Sequence, residues 1–204
     1  MDAKKLKIPN KLPLIRTNNI VLFPYLIIPL VVTDEYLKKV IDFALENDRL
    51  LALFLLKDSG KKNEIHEYGI AVNILQMRKN VDNSISLLLQ GAFRIKLIRV
   101  HEEKPISFAE LEAIPEQLDD SPKIQALKNI AIELFGKINE ESNNLNEGII
   151  STLKNIKQPG RVADIIAGNA PLKLHEKQAV LETIDLEKRF EILNDILAEI
   201  IKQL

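Results

Sequence analysis

The residue types that carry most enzyme chemistry are few and far apart in this sequence. The 3 histidines, His66, His101 and His175, lack the short spacings typical of metal ligands. Cysteine is absent, which excludes disulfides, thiolate nucleophiles and cysteine-ligated zinc. We therefore predict that the histidines are ordinary surface or capping residues.

The sequence also lacks the motifs that position a phosphate or a nucleophile. No Gly-x-x-x-x-Gly-Lys, Gly-x-Ser-x-Gly or His-Glu-x-x-His pattern occurs. The carboxylate pairs Glu102-Glu103 and Asp119-Asp120 are typical of solvated loop or helix-start charges rather than of acid–base dyads. We predict that this chain is not an enzyme by itself and that it holds no metal and no cofactor.

What remains is the chemistry of binding through exposed apolar side chains. Phe23, Pro24 and Tyr25 form a predicted corner where the chain turns between strands, so that one or two of them face solvent. Met77 lies near a strand end, and methionine adapts to varied partners. Exposed apolar side chains clustered at a rim mark interaction sites. The alternative is that all four residues are core or plug the end of a barrel.

A second candidate surface is basic. Arg94, Lys96 and Arg99 lie on one predicted strand, opposite its apolar face, and could contact phosphate groups. The formal net charge of the chain is −1 at pH 7, which gives no electrostatic reason to expect nucleic acid or an anionic membrane as partner. A solvated strand face is therefore the favoured interpretation of these three residues.

The most apolar stretch, residues 20–32, is the segment around which the rest of the chain is organised. Its prolines, Pro24 and Pro29, would each cost a helix about 3 kcal/mol, so we predict an extended strand pair that enters a buried β core. The prolines are expected at bends or at edge positions, where no ladder N–H is needed. The stretch is shorter than the about 20 residues that span a bilayer, and it lacks the cleavage site of a signal peptide. The chain is expected to be cytoplasmic.

Alternation and turn residues predict about six strands and one helix in residues 1–116, with the spacing of a small closed barrel. Thr33 is expected to cap the helix, and Gly91 to mark a bulge. The apolar and alternating segments from which these strands are predicted cover residues 12–16, 20–32, 50–56, 68–79, 84–90, 92–100 and 106–114.

Residues 117–204 switch to helical spacing and predict a second, all-α domain, so the fold class is α+β. Pro159-Gly160 is expected to break the chain, and Gly168 to stop the helix that follows. Asp185 is expected to cap the last, long helix. Its apolar residues keep heptad spacing to Leu204 without a C-cap, which favours a helix cut from a longer one.

Several segments, in this order and spacing, carry a family resemblance across nearly the whole chain. They are Leu12-Pro-Leu-Ile-Arg, Asn19-Ile-Val-Leu-Phe-Pro, Ile28-Pro-Leu, Asp48-Arg-Leu-Leu, Tyr68-Gly-Ile-Ala-Val-Asn-Ile-Leu-Gln-Met, Gln90-Gly-Ala-Phe-Arg, Gln158-Pro-Gly-Arg-Val-Ala-Asp, Pro171-Leu-Lys-Leu-His-Glu-Lys-Gln and Leu181-Glu-Thr-Ile-Asp-Leu-Glu-Lys-Arg. Together they resemble the amino-terminal domain of Lon, the ATP-dependent protease.

The resemblance implies a PUA-like β-barrel followed by a helical bundle. It also implies a region that recognises unfolded or damaged proteins and supports assembly of a hexamer, joined to an ATPase–protease portion that uses ATP and Mg²⁺. The serine–lysine dyad of the family lies outside these residues, so the chain is expected to lack peptidase activity. Family substrate contacts are extended only to Phe23, Pro24, Tyr25 and Met77.

Two alternatives stay open at this point. One is a stand-alone Lon-like adaptor or protein-binding module without an ATPase. The other is a PUA-like RNA-binding domain in which Arg94, Lys96 and Arg99 contact phosphates, with an affinity that falls steeply with salt.

Overall fold

The structure, a computed structural model, divides into two compact units. It describes residues 9–141 and 147–204. The strand unit consists of the described residues up to Asn18 together with Ile27–Ile114, and the helical unit consists of Asn19–Leu26 and the described part of Pro115–Leu204. The predicted division into 1–116 and 117–204 follows chain order. In the structure, one short segment of the first half, Asn19–Leu26, belongs instead to the helical unit.

The strand unit is built on a six-stranded sheet and one helix. Its elements are β1 (Lys11–Thr17), β2 (Ile27–Val32), α1 (Glu35–Glu46), β3 (Leu50–Leu55), β4 (Tyr68–Lys79), β5 (Ile85–His101) and β6 (Phe108–Ala113). The strand order is β2-β5-β4-β3-β1-β6, and β6 also pairs with β5. The pairings therefore run from β5 through β4, β3, β1 and β6 back to β5. Among the described strands, β2 has β5 as its single partner.

The apolar stretch 20–32 is not the strand pair that its composition predicts. Only β2 is a strand, and Asn19–Leu26 packs with the helices instead. The chain turns at Pro24, whose ring cannot continue a ladder, and at Tyr25, whose φ is 69°. A left-handed residue after a proline ends the extended path and separates the two segments.

The two predicted strands around Gly91 form one continuous strand, β5, of 17 residues. The predicted irregularity is confirmed, because Ala71 pairs with Phe93 while Val72 pairs with Gly91. One residue of β5 is therefore extra at this point, as in a β-bulge. The bulge lets one long strand pair with β2 and β4 at its start and with β4 and β6 toward its end.

Close approach of β3 and β4 depends on Gly69. A Cβ at this position would lie 2.5 Å from the Leu53 carbonyl oxygen and 2.6 Å from Cδ1 of Phe54. Phe54 belongs to the buried core of the strand unit. The members of this core are Leu12, Leu14, Ala52, Phe54, Ile65, Ala71, Ile95, Ala109 and Leu111.

Helix α1 begins one residue later than predicted. The cap is Asp34 rather than Thr33, because the Asp34 Oδ1 accepts a hydrogen bond of 2.8 Å from the Leu37 amide. A carboxylate at the cap both satisfies an amide and complements the helix dipole.

The helical unit contains five helices in its described part. They are α2 (Pro122–Glu141), α3 (Glu147–Asn155), α4 (Pro159–Asn169), α5 (Leu174–Glu182) and α6 (Leu186–Gln203). The predicted cap of α6 is confirmed, since Asp185 accepts from the Lys188 amide at 2.9 Å. The predicted break between two helices is present, but it lies at residues 156–158, between α3 and α4. Pro159 and Gly160 themselves form the first turn of α4, where the N–H that proline lacks is not needed for a helical hydrogen bond.

Gly168 does not stop α4, which continues to Asn169. The glycine instead makes room for the segment Asn19–Leu26, because a Cβ there would collide with the Leu26 side chain and lie 3.7 Å from the Phe23 ring. A residue that sequence reasoning assigns to helix termination therefore serves helix packing.

A buried arginine joins several parts of the helical unit. Arg189 is only 1% exposed, and its guanidinium donates to the carbonyls of Thr183 at 2.8 Å and Ile184 at 3.1 Å. Its Nη1 also lies 3.2 Å from Glu116 and 3.7 Å from Asp164, which is fully buried. A buried charge of this kind needs such partners to offset its desolvation.

Among residues 9–141 and 147–204, no helix combines the length and apolar character needed to cross a membrane.

Candidate functional site

The predicted corner is a tight turn that exposes one side chain. The Leu26 amide donates to the Phe23 carbonyl at 3.3 Å, with Pro24 in the second position and Tyr25 in the third. Proline followed by a residue of positive φ is the signature of a type II turn, in which the third position favours glycine. Phe23 is 0% exposed in the helical core and Pro24 is buried, whereas Tyr25 is 45% exposed. The two apolar residues anchor the turn, and Tyr25 projects from it.

Tyr25 is stacked against a cation of α4. The guanidinium carbon of Arg161 lies 4.8 Å from the centroid of the Tyr25 ring, within the range of a cation–π interaction. Arg161 is exposed, so the pair forms an aromatic surface with a positive edge. The backbone strain at Tyr25 and the exposed ring are the kind of combination found at binding sites.

We predict that Tyr25→Gly is more stable than Tyr25→Ala by about 1 kcal/mol. Both variants lose the ring and the contact with Arg161, but only glycine relieves the left-handed backbone. Urea unfolding of the two variants measures the difference. Equal stability would show that the fold does not impose the positive φ on this position.

Met77 lies in the strand unit, on β4. It pairs with Leu87 of β5, which in turn pairs with Leu30 of β2, so these three side chains share one face of the sheet. Met77 is half-buried and borders a shallow groove of about 530 Å³. The groove is lined by Gln76, Met77, Arg78, Ser86, Leu87 and Leu88. Met77 and the corner residues thus belong to different units.

The hairpin that joins β4 and β5 carries a stable negative charge. The hydroxyl of Ser84 donates to Asp82 Oδ1 at 2.6 Å and its amide donates at 3.0 Å. These hydrogen bonds hold the pKa of the Asp82 carboxyl below its usual range, since they favour the carboxylate. With Arg78 and Lys79 exposed on β4, this end of the sheet carries both signs of charge.

Sequence reasoning missed an exposed apolar row on β2, which we name the β2 face. It consists of Ile27, Pro29 and Val31, which alternate with less exposed residues along the strand, and of Leu88, which lies opposite Pro29 on β5. Ile27 is 49% and Val31 62% exposed. The predicted buried β core is therefore wrong for these residues. The edge position predicted for a proline of this stretch is confirmed at Pro29, but the exposure of its neighbours was not predicted.

The bulge residue of β4 extends the list of exposed apolar side chains. Register shifts between Ile74 and Gln76, which leaves Leu75 outside the pairing and 40% exposed. Large apolar residues in this state cost the fold solvation energy without contributing to its core. They are candidates for contact with another molecule.

The predicted basic strand face is not a row of free cations. Arg94 is 3% exposed, and Lys96 is 3.2 Å from Glu67 and 5.8 Å from the Tyr68 ring centroid. The hydrogen bond to Glu67 raises the pKa of Lys96. Arg99 is exposed. Two of the three residues that a phosphate-binding stripe would use are therefore buried or engaged within the unit.

The histidines form no shared site in the described part of the chain. His101 Nε2 lies 2.9 Å from Glu110, its neighbour on β6. Within residues 9–141 and 147–204, no group of three histidine or acidic side chains is placed to hold a metal ion.

Comparison with known families decides what kind of domain this is. Residues 11–199 match the family model described as the ATP-dependent protease La (LON) substrate-binding domain. The chain belongs to the Lon substrate-binding domain family. This confirms the resemblance that the sequence segments indicate.

Curated relatives of this Lon-family domain are whole Lon proteases. It is 34% identical to the Lon protease of Trichlorobacter lovleyi over 96% of this chain and 24% of that protein. It is 33% identical to Lon protease 2 of Bdellovibrio bacteriovorus over 97% of this chain and 25% of that protein. The chain thus spans about a quarter of the length of these relatives.

Solved structures share the α+β architecture of the Lon-family domain. The N-terminal domain of the Mycobacterium avium complex Lon protease matches with a TM-score of 0.79 at 19% identity, over 93% of this chain and 98% of that one. A Lon N-terminal domain protein from Xanthomonas campestris matches with a TM-score of 0.67 at 20% identity, over 90% and 96%. At these identities the likeness establishes the fold alone.

Proposed function

We propose that this domain recognises unfolded or damaged proteins through exposed apolar surface, as the non-catalytic part of an ATP-dependent Lon protease. The observation that carries the proposal is the β2 face, an uncharged row with Ile27 and Val31 about half or more exposed, in a chain of the substrate-binding family. Unfolded chains differ from folded ones chiefly in their accessible apolar side chains. An apolar row therefore selects for the unfolded state.

The strength of such capture is modest for one copy. Apolar contact contributes about 25 cal/mol per Å² buried, and the cost of immobilising a flexible client offsets much of that gain. We propose that the domain supports a hexamer in a parent protein, where several copies turn weak contacts into useful avidity. ATP and Mg²⁺ would serve the ATPase portion of that parent, in the cytoplasm.

The fold supports the same proposal. The ring of pairings from β5 through β4, β3, β1 and β6 back to β5 supports a small, PUA-like barrel as the platform. Such a closed ring leaves β2 as an appended strand, so its face is available without disturbing the ring. Tyr25 and Met77 are further proposed contacts, Tyr25 through its exposed ring and Met77 through its half-buried side chain.

The test is an NMR titration with a permanently unfolded protein and with the folded form of the same protein. We expect shifts at Ile27, Val31 and Tyr25 with the unfolded form only. Methyl-labelled methionine adds a selective probe, because the sequence contains 2 methionines, Met1 and Met77. No response to either form would contradict the proposal.

We predict that the double variant Ile27→Ser, Val31→Ser weakens binding of the unfolded protein by about tenfold, because it replaces the two exposed aliphatic side chains of β2 with polar ones. Ile98→Ser is the matched control, since Ile98 is 61% exposed on β5 and Val31 is 62% exposed. The control should bind within about twofold of the unsubstituted domain. Equal loss in both variants would indicate non-specific apolar contact rather than a defined surface.

A further inference from the structure

Strand β2 is the end of the pairing ladder and has an open side. It pairs with β5 in continuous antiparallel register, from Ile27 opposite Gln90 to Val32 opposite Ile85. Among the described residues, no other strand pairs with β2, and no backbone hydrogen bond outside the ladder involves Ile27–Val32. The second side of this strand therefore carries backbone groups that no described residue uses.

Pro29 identifies which groups those are. In an antiparallel ladder alternate residues bond to the partner, and a proline within a strand keeps its nitrogen on the open side. The register at Pro29 has no shift, so Ile27 and Val31 share its orientation. Ile27 and Val31 each present an N–H and a C=O outward, while Pro29 presents a C=O alone.

The edge is unusual in lacking charge. Natural edge strands are normally protected by lysines, bulges, proline or a covering segment. The sequence of β2, Ile-Ile-Pro-Leu-Val-Val, contains no charged residue, and its register contains no bulge. Pro29 is the one protective device in the strand, and it removes a single donor. The residues on either side of it are suited to pair with another chain.

We propose that the open side of β2 pairs with an extended segment of an unfolded polypeptide, and that Pro29 keeps this pairing short. Main-chain hydrogen bonds at Ile27 and Val31 hold the segment, and its apolar side chains at alternate positions continue the row formed by Ile27, Pro29 and Val31. This inference rests on the proposed function and specifies how the client is held. The missing donor at Pro29 interrupts the pairing, so clients are released instead of growing into a sheet.

The test uses a short peptide with valine at alternate positions and threonine between them, with two N-methylated forms. One form carries methyl groups on one alternate set of amides, and the other form carries them on the complementary set. In an extended segment only one set faces β2, so one form should bind about tenfold more weakly while the other stays within about twofold of the parent peptide. Ile27 and Val31 amides should gain protection from hydrogen exchange in the bound state.

The outcomes separate the two proposals. Equal binding of both methylated forms and the parent overturns strand pairing but leaves apolar capture intact. Failure of the parent peptide to bind contradicts the proposed function as well. Shifts of the β2 amides with domain concentration, and none with peptide, would make a second copy of this chain the occupant and overturn the inference.

Variants at Pro29 provide an independent check. Pro29→Val and Pro29→Thr both restore the missing N–H, but only valine is apolar. We expect both variants to bind the parent peptide about tenfold more tightly and to self-associate where the unsubstituted domain does not. Tighter binding by Pro29→Val alone would assign the effect to apolarity and count against backbone pairing.

Discussion

Replacing Arg189 with methionine is expected to lower the free energy of unfolding of the helical unit by about 3–5 kcal/mol. Methionine preserves much of the apolar stem but removes the guanidinium from Glu116 and from the fully buried Asp164. It also removes the donors to the carbonyls of Thr183 and Ile184. Urea unfolding followed by helical circular dichroism measures the loss.

The neighbouring Lys188 provides the control. It is exposed on the same helix, so Lys188→Ala should change stability by no more than about 0.5 kcal/mol. Adding Asp164→Asn to Arg189→Met should cost less than the sum of the two single changes, because the asparagine removes the charge that lost its guanidinium. A loss below about 1 kcal/mol for Arg189→Met would contradict the role of the buried charge.

Replacing Gly69 with alanine is expected to lower the free energy of unfolding of the strand unit by about 3 kcal/mol. The new Cβ would lie 2.5 Å from a backbone oxygen, that of Leu53, which cannot turn aside as a side chain could. It would also press on the ring of Phe54, which is 0% exposed and packed in the core. Relief requires β3 and β4 to separate, which weakens their hydrogen bonds.

The control variant Gly60→Ala separates steric crowding of the new Cβ from the general cost of replacing a glycine. Gly60 has a φ of 72° and no atom within 4 Å of the Cβ that alanine would add, so the cost should be only the about 1 kcal/mol of a left-handed alanine. Hydrogen exchange of the β3 and β4 amides provides the local readout. Similar losses and similar exchange in both variants would argue against the close approach at Gly69.

Two prolines of the same apolar stretch have opposite consequences. Pro24 is buried at the second position of a turn whose first residue, Phe23, lies in the helical core, whereas Pro29 lies exposed within a strand at the end of the sheet. Proline is compatible with both settings because neither position needs a backbone N–H donor. Their surroundings differ: Gly168 makes room for the turn at Pro24, and among the described strands only β5 pairs with the strand that contains Pro29.

The sequence by itself determined some of the local elements and the family. Alternation located β4 at residues 68–79 as predicted, and the capping side chain of Asp185 located the start of α6. Both signals act between residues close in the chain, through pleating in a strand and through amide satisfaction in a helix. The ordered segments were likewise sufficient to identify the Lon family, which the match over residues 11–199 confirmed.

The tertiary structure alone decided which surfaces are covered. Periodicity shows that Ile27 and Val31 share a face, but only the structure shows that this face of β2 is exposed. The sequence context of Arg94 predicts a solvated cation, but the structure places it 3% exposed, which its own strand pattern does not indicate. Exposure depends on contacts between residues distant in the chain, and no local pattern encodes which element covers which face.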